Sequence, residues 1–428
     1  VGAAMYDLIA ELYPICRSIT GDGFRETMRR LQTRIPLVTR EVPSGTAVLD
    51  WTVPNEWNIR DAYIKNSRGE RVVDFQQSNL HVLNYSVPVH RTVGLQELRK
   101  HCYSLPDHPD WIPYRTSYYK EAWGFCLPDR QLQALPEDQY EVCIDSTLAP
   151  GHLTYGELVL PGDTHDEILI SCHACHPSLC NDNLSGIAVA TFLARQLAEQ
   201  SRRHTYRFLF IPGTIGSITW LARNESIVPR IKHGLVLASV GDSGTIHYKR
   251  SRRGNSEIDV AVAHVLRHAG QQFEMMDFTP YGYDERQYCS PGYDLAVGCL
   301  SRTPYAQYPE YHTSADDLTL VRPAALAASY ATCLAVFDVL DDNRAYVNQR
   351  PKGEPQLGRR GLYGDIGGQS EERVDELALL WVLNLSDGRN TLLDVAERAG
   401  LSYSTIRRAA KLLLARGLLL PRATAPDP

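Results

Sequence analysis

Cysteine and methionine are scarce in this chain, basic charge is not in surplus, and no apolar stretch is long. Ten cysteines and four methionines are spread over 428 residues. That density is too low for a disulfide scaffold. Cys16, Cys102, Cys126, Cys143, Cys299 and Cys333 sit among apolar neighbours, where buried reduced thiols are expected. No segment reaches the roughly 18 uninterrupted apolar residues of a membrane span, so no membrane partner is expected. Lysine and arginine number 44 against 50 aspartates and glutamates, a net charge of −6, which removes any bulk pull toward nucleic acid or anionic lipid. There is no internal repeat and no low-complexity block, and the composition excludes a disordered tail protein, a collagen-like chain and a coiled-coil rod. Neither a basic leader nor a long apolar run opens the sequence. The first residue is Val1 rather than Met, so a removed leader stays open, and the cytoplasm is the default expectation.

What is present is ordinary globular composition, 43% hydrophobic and 22% charged, at a length that accommodates two or three domains of about 150 residues. Tyr6 to Gln32 has helical spacing and predicts one or two helices. Residues 46–145 read as a mainly β module, with short runs such as Arg71–Phe75 and His81–Tyr85 between turn residues. From Glu157 onward strands and helices alternate: strands at Glu167–Cys172, Tyr206–Pro212 and Ile231–Val240, helices at Ile187–Glu199, Ile258–Ala269 and Ala324–Leu340. This predicts an α/β fold with a doubly wound core sheet over 1–45 and 146–348, carrying the β module as an insertion. Active sites of such folds lie beyond the strand ends. Glycine- and proline-rich residues 349–370 read as a linker. Residues 371–428 follow with helices near Val374–Leu385, Thr391–Ala399 and Tyr403–Arg416, a tight Gly400-Leu401-Ser402 turn capped by Ser402, and a short strand, the outline of a winged helix.

The densest chemistry is Ser171-Cys172-His173-Ala174-Cys175-His176-Pro177 followed by Asn181-Asp182-Asn183-Leu184-Ser185-Gly186. A strand delivers a histidine, and a polar turn then opens a helix with an aspartate. Imidazole and carboxylate from adjacent loops are what a hydrolytic divalent ion takes. Downstream, Glu310-Tyr311-His312-Thr313 supplies another histidine; if that stretch is extended, Glu310 and His312 share a face. Two other readings of the first cluster stay open. One is the Cys-x-x-Cys-His haem-attachment pattern at Cys172–His176; the other is a structural zinc site on Cys172, Cys175 and Cys180. A third is that the histidines only pack and cap loops.

The strand-His, Asn-Asp-Asn-x-Ser-Gly and His-Thr-x-x-Asp-Asp pieces, in that order, resemble the zinc-dependent exopeptidase superfamily, and within it the aminopeptidases with co-catalytic zinc. The resemblance is closer to aminopeptidase-like proteins with an inserted β domain and a C-terminal winged helix, encoded among surface-polysaccharide and antibiotic biosynthesis genes. Arg17-Ser18-Ile19-Thr20-Gly21, Asp50-Trp51-Thr52-Val53-Pro54, Pro212-Gly213-Thr214-Ile215-Gly216-Ser217, Tyr283-Asp284-Glu285-Arg286-Gln287-Tyr288 and Glu310-Tyr311-His312-Thr313-Ser314 carry it across nearly the whole chain. It implies one or two zinc ions, with cobalt or manganese as substitutes. It implies His173, Asp182 and His312 as ligands, Asp242 as a weaker one and His176 as an alternative. The chain departs from that pattern where the aminopeptidases place a Glu-Glu pair: Pro212–Gly216 holds no carboxylate. Their His-x-Asp is here His173-Ala174-Cys175. Glu310 and Glu285 are therefore the candidate general bases. Arg286, Asp284, Tyr283 and Tyr311 are the candidate substrate-binding residues, Arg286 pairing with a carboxylate or phosphate. The implied reaction is hydrolysis of an amide next to a free amino group, in a peptide or an aminoacyl small molecule on a biosynthetic route. The loss of the Glu-Glu pair keeps a silent binding protein as the alternative.

The last predicted helix carries Arg407, Arg408, Lys411 and Arg416, which raises a DNA-binding regulator as a further alternative. Residues 371–428 balance eight basic against eight acidic side chains. DNA-binding modules are basic overall, so packing or homo-oligomer formation is expected of this tail and nucleic acid is not.

Overall fold

The structure, a computed structural model, describes residues 1–362 and 376–422. The parts of the predicted linker and winged helix at 363–375 and 423–428 lie outside the described residues. The chain divides into two units, Val1–Asp259 with Gln272–Cys333, and Val260–Gln271 with Leu334–Pro428.

The first unit is organised on eight strands: β1 (Val38–Pro43), β2 (His152–Leu160), β3 (Glu167–His173), β4 (Thr205–Ile211), β5 (Ile231–Leu237), β6 (Ile246–Lys249), β7 (Phe273–Met276) and β8 (Val297–Ser301). They lie side by side in the order β1-β2-β4-β3-β5-β8-β6-β7. The central four, β4, β3, β5 and β8, run parallel. Every residue of β3 and β4 is buried, as the unbroken Ile168-Leu169-Ile170 and Phe208-Leu209-Phe210 runs require of strands covered on both faces. The polar exceptions in this layer pair with one another. Arg207 on β4 meets Glu167 on β3 at 2.6 Å and Glu157 on β2 at 2.5 Å, and the Trp220 indole N–H donates to Glu157 at 3.0 Å. An arginine left in that layer without its carboxylates would cost several kcal/mol.

Helices Gly2–Leu12, Asp22–Gln32, Ser185–Ala198 and Ile215–Arg223 accompany the sheet. The predicted opening segment is thus two helices, separated at the Arg17–Gly21 motif. Helix Pro323–Asp342 is long and apolar enough to cross a membrane by length and composition, but over half of it is buried inside the protein.

Within residues 46–145 the chain forms a four-stranded antiparallel sheet, ordered Arg71–Asp74, Glu56–Lys65, Gln139–Ala149, Val89–Gly94. Trp57 is buried in it and donates its indole N–H to the Ser86 carbonyl at 2.8 Å. His81–Tyr85, expected as a β run, instead follows a 3-10 turn at Asn79–His81, capped by the Ser78 hydroxyl. That side-chain cap competes with ladder pairing.

In the second unit, helices Glu376–Leu385, Leu392–Ala399 and Tyr403–Ala415 pack with a three-stranded sheet of Asp387–Thr391, Ala345–Asn348 and Leu419–Pro421. The last helix is capped as expected: the Ser402 hydroxyl accepts the Thr405 N–H, and Gly400 before it has φ +65°. The first two strands were not legible. Asp387–Thr391 reads Asp-Gly-Arg-Asn-Thr, a turn composition that forms a strand only because Ala345–Asn348 pairs with it. Arg407, counted among the basic residues of the last helix, is engaged with Asp338 at 2.7 Å.

Candidate metal centre

The site begins where β3 ends. His173 is the last residue of that strand, and its imidazole emerges at the carboxyl edge of the parallel strands. Nine residues on, the backbone leaves helical geometry at Asp182 and Asn183, then enters helix Ser185–Ala198. The kink is fixed from both sides. Asp316 accepts the N–H groups of Asn181 and Asp182 at 2.6 and 2.9 Å. The Asn183 amide donates to the Leu237 carbonyl at 2.9 Å. Gly186 admits no side chain, since a Cβ would lie 2.5 Å from Asn183 Oδ1 and 2.6 Å from the Leu237 carbonyl oxygen.

Asp182 is wholly buried and is the hub of the site. His173 Nε2 lies 2.8 Å from its Oδ1, and His176 Nδ1 and His312 Nε2 lie 3.2 and 2.9 Å from its Oδ2. The Tyr283 hydroxyl donates to Oδ1 at 3.1 Å, with its ring stacked on His173. Ligand atoms of His173, His176 and Asp182 all fall within 4.8 Å of one another. Burial pushes the Asp182 carboxyl up, but the imidazoles of His176 and His173 more than offset this and hold it well below the usual range. Burial lowers His173 and His312. It also opposes a proton on His176, yet the adjacent Asp182 carboxylate raises that imidazole. A buried carboxylate ringed by three imidazoles is a donor set that fits one divalent cation.

The remaining expected residues are placed differently from one another. Asp242 is buried but turned into loop scaffolding: its oxygens accept from Asn181 Nδ2, Gly244 N–H and the Thr303 hydroxyl and N–H at 2.6–3.2 Å. Glu285 is buried in an ion pair with Lys249 at 2.7 Å. Glu310 lines a separate cleft with Trp111, Ser243 and Asp317. The stretch around it is a turn rather than a strand, with His312 at φ +56°, so the alternation that would put Glu310 and His312 on one face does not apply. Arg286 is half-buried, its guanidinium 5.9 Å from the Tyr281 ring centre. Tyr311 stacks on His312 with ring centres 4.0 Å apart.

Asp284 comes from outside the strand that lacks a carboxylate, yet it reaches the same spot. A Cβ on Gly213 would stand 3.0 Å from the His173 Cβ and 3.6 Å from Asp284 Oδ2. The Asp284 carboxyl thus occupies the space a side chain at Gly213 would extend into. It accepts the Ser217 hydroxyl at 2.7 Å through Oδ1, and its buried Oδ2 has no partner. Burial lifts its pKa to about 7, with the Ser217 bond opposing. No local sequence signal announces this convergence, because Gly213 and Asp284 are 71 residues apart.

This sheet, with a histidine-and-aspartate cluster at its carboxyl edge, has the fold of the zinc aminopeptidases. Over 78% of this chain it superposes on 94% of the zinc aminopeptidase of Bacillus subtilis with a TM-score of 0.57 at 12% identity. A crystal structure from Clostridium acetobutylicum, described as of a peptidase, matches 98% of this chain and 96% of its own with a TM-score of 0.94 at 51% identity. The chain belongs to the DUF4910 family, a domain of unknown function, matched over residues 6–343, with a winged helix-turn-helix matched over 344–421. A Clostridium acetobutylicum protein named for polysaccharide biosynthesis and an aminopeptidase-like domain is 53% identical over 412 residues, covering 96% of this chain and 95% of the relative.

Proposed function

We propose that the protein is a metal-dependent hydrolase acting on an amide bond, as an aminopeptidase or small-molecule amidohydrolase, on a biosynthetic intermediate. The observation that carries this reading is the buried Asp182 carboxylate surrounded by His173, His176 and His312. These four would hold one zinc ion, or cobalt or manganese in its place; Asp242 is turned away and Pro212–Gly216 holds no carboxylate, so a second ion is not assigned. When bound, such an ion lowers the pKa of a water and polarises a carbonyl.

The chain's own residues supply the rest. Tyr283 fixes the orientation of Asp182 through its hydroxyl and covers His173 with its ring. Asp284 is the proton acceptor: its free Oδ2 lies on the His173 side, and a carboxyl titrating near 7 can both take and return a proton at neutral pH. Glu285, held by Lys249, and Glu310, in another cleft, are not assigned that role. The buried, unpaired thiols accord with a reducing compartment such as the cytoplasm.

The test is elemental analysis of the purified protein beside Asp182→Ala and His312→Ala, with hydrolysis assays on aminoacyl amides and dipeptides. Near-stoichiometric metal that both substitutions abolish, with turnover lost in parallel, is the expected result. Failure to bind zinc, cobalt or manganese after addition would overturn the reading and favour a silent binding protein, for which the empty Pro212–Gly216 turn already speaks.

A further inference from the structure

The cleft over the cluster is lined by two stretches far apart in sequence, 105–118 of the inserted module and 309–313, and it encloses about 560 Å³. Its lining includes His108, Arg115, His176 and His312 and holds no aspartate or glutamate. In a chain of net charge −6 this is a local reversal of sign. A pocket for a substrate ammonium needs a carboxylate to receive it. Here Asp182 lies behind the imidazoles and is already contacted by three of them and by Tyr283.

Arg115 is exposed at this cleft, and no carboxylate among the described residues pairs with its guanidinium. Arg115 and His312 line the same cleft. The Tyr114 and Tyr118 hydroxyls meet at 2.7 Å, and Ser18 also hydrogen-bonds Tyr118. The segment carrying these groups is braced at both ends. The Tyr114 N–H donates to the His312 carbonyl at 2.8 Å, and Ser314 exchanges two bonds with Ile112 at 2.8 and 2.9 Å. On the other side, the Arg115 carbonyl accepts the Asn84 N–H at 2.9 Å. The Asn84 side chain is in turn held by the Ser18 hydroxyl and the Arg17 carbonyl. The Arg17–Gly21 motif is thereby connected to the position of Arg115 through Asn84.

The geometry points to an anion subsite: the cleft takes a carboxylate or phosphate of the substrate, with Arg115 as its ion-pair partner. This deepens the hydrolase reading and rests on the histidine cluster being the reacting centre. A bidentate guanidinium contact with an oxyanion is the strongest form such a pair takes.

Isothermal titration of the full-length protein with inorganic phosphate and, separately, with glutarate tests this, using Arg115→Ala, Arg115→Lys and Arg286→Ala and recording zinc content for each. Saturable binding of at least one anion is expected, weakened tenfold or more in Arg115→Ala and less in Arg115→Lys, with zinc content unchanged; the tighter anion identifies the group. Absence of saturable binding, binding unaltered in Arg115→Ala, or binding lost only in Arg286→Ala would overturn the subsite. Arg115-dependent anion binding by a protein that takes up no zinc would support the subsite while refuting the metal reading.

Discussion

Asp316 holds Asp182 by its backbone: the Oδ2 of the one accepts the main-chain N–H of the other at 2.9 Å, while Oδ1 takes the preceding N–H of Asn181 at 2.6 Å. Both groups are buried, so the carboxyl has no competing water, and burial lifts its own pKa to about 8 against the pull of those two N–H donors. The aspartate at the centre of the cluster is therefore aimed by a second aspartate 134 residues away.

Removing that support should loosen the site without abolishing it. Asp316→Ala leaves two buried N–H groups without acceptors, at roughly 1–3 kcal/mol each. We expect zinc affinity to fall about 10- to 100-fold, the range for residues that orient a ligand, with the far-ultraviolet circular dichroism of the wild type retained. Competition with a chromophoric chelator measures the affinity. An unchanged affinity would mean that Asp182 is positioned by its histidines alone.

His176 and Asp242 offer a direct contrast. The imidazole of His176 lies on Asp182, whereas the oxygens of Asp242 are taken up by Asn181, Gly244 and Thr303. His176→Ala should lower zinc affinity at least tenfold. Asp242→Ala should change it far less while lowering unfolding stability by roughly 1–3 kcal/mol through lost buried hydrogen bonds. Chelator competition and urea denaturation on the two variants separate the effects. The reverse pattern would make Asp242 the ligand.

His233 sets a pH dependence that does not involve the site. It is buried on β5, and burial, with the nearby His204 and then Arg203 and Lys232, lowers its pKa from 6.5 to about 3. Between those values the unfolded chain binds more protons than the folded one, so stability rises with pH across that window. The contribution is complete above 6.5 and is lost as pH falls toward 3. Its slope is at most about 1.4 kcal/mol per pH unit. Urea midpoints measured from pH 5 to 6.5 should fall with acidity in the wild type and be flatter in His233→Leu. Parallel slopes would show that the imidazole stays neutral for another reason or is solvated.

Legibility from sequence followed the range of the interaction. The buried strands, the helix opened by Ser185 and the capped final helix are written in runs of a few residues, and the structure has them within two or three residues of the expected ends. His173, Asp182 and His312 could be named because strand ends and the turns before helices expose side chains in predictable ways. Where the partners from elsewhere land could not be read, Tyr283 and Asp284 having been expected only as substrate-binding residues. Tyr283 stacks on His173 across 110 positions, Asp284 fills the space beside Gly213, and Asp316 fastens the Asp182 turn. Glu310 was misjudged in its surroundings for a local reason: the left-handed backbone at His312 breaks the two-residue alternation that would have placed them together. Two of the three strands of the second unit were missed because Ala345–Asn348 gains its ladder only from residues 40 or more positions later.

The brace between Ile112 and Ser314 spans 202 residues of chain. Translation at about 5–20 residues per second puts roughly 10–40 s between the emergence of one end and of the other. During that interval the inserted module can pair its own strands, but the wall bearing Tyr114 and Arg115 has nothing to close against. The cleft is thus completed only after all eight strands of the main sheet have been made, and a nascent chain stopped before Ser314 carries an unfinished site.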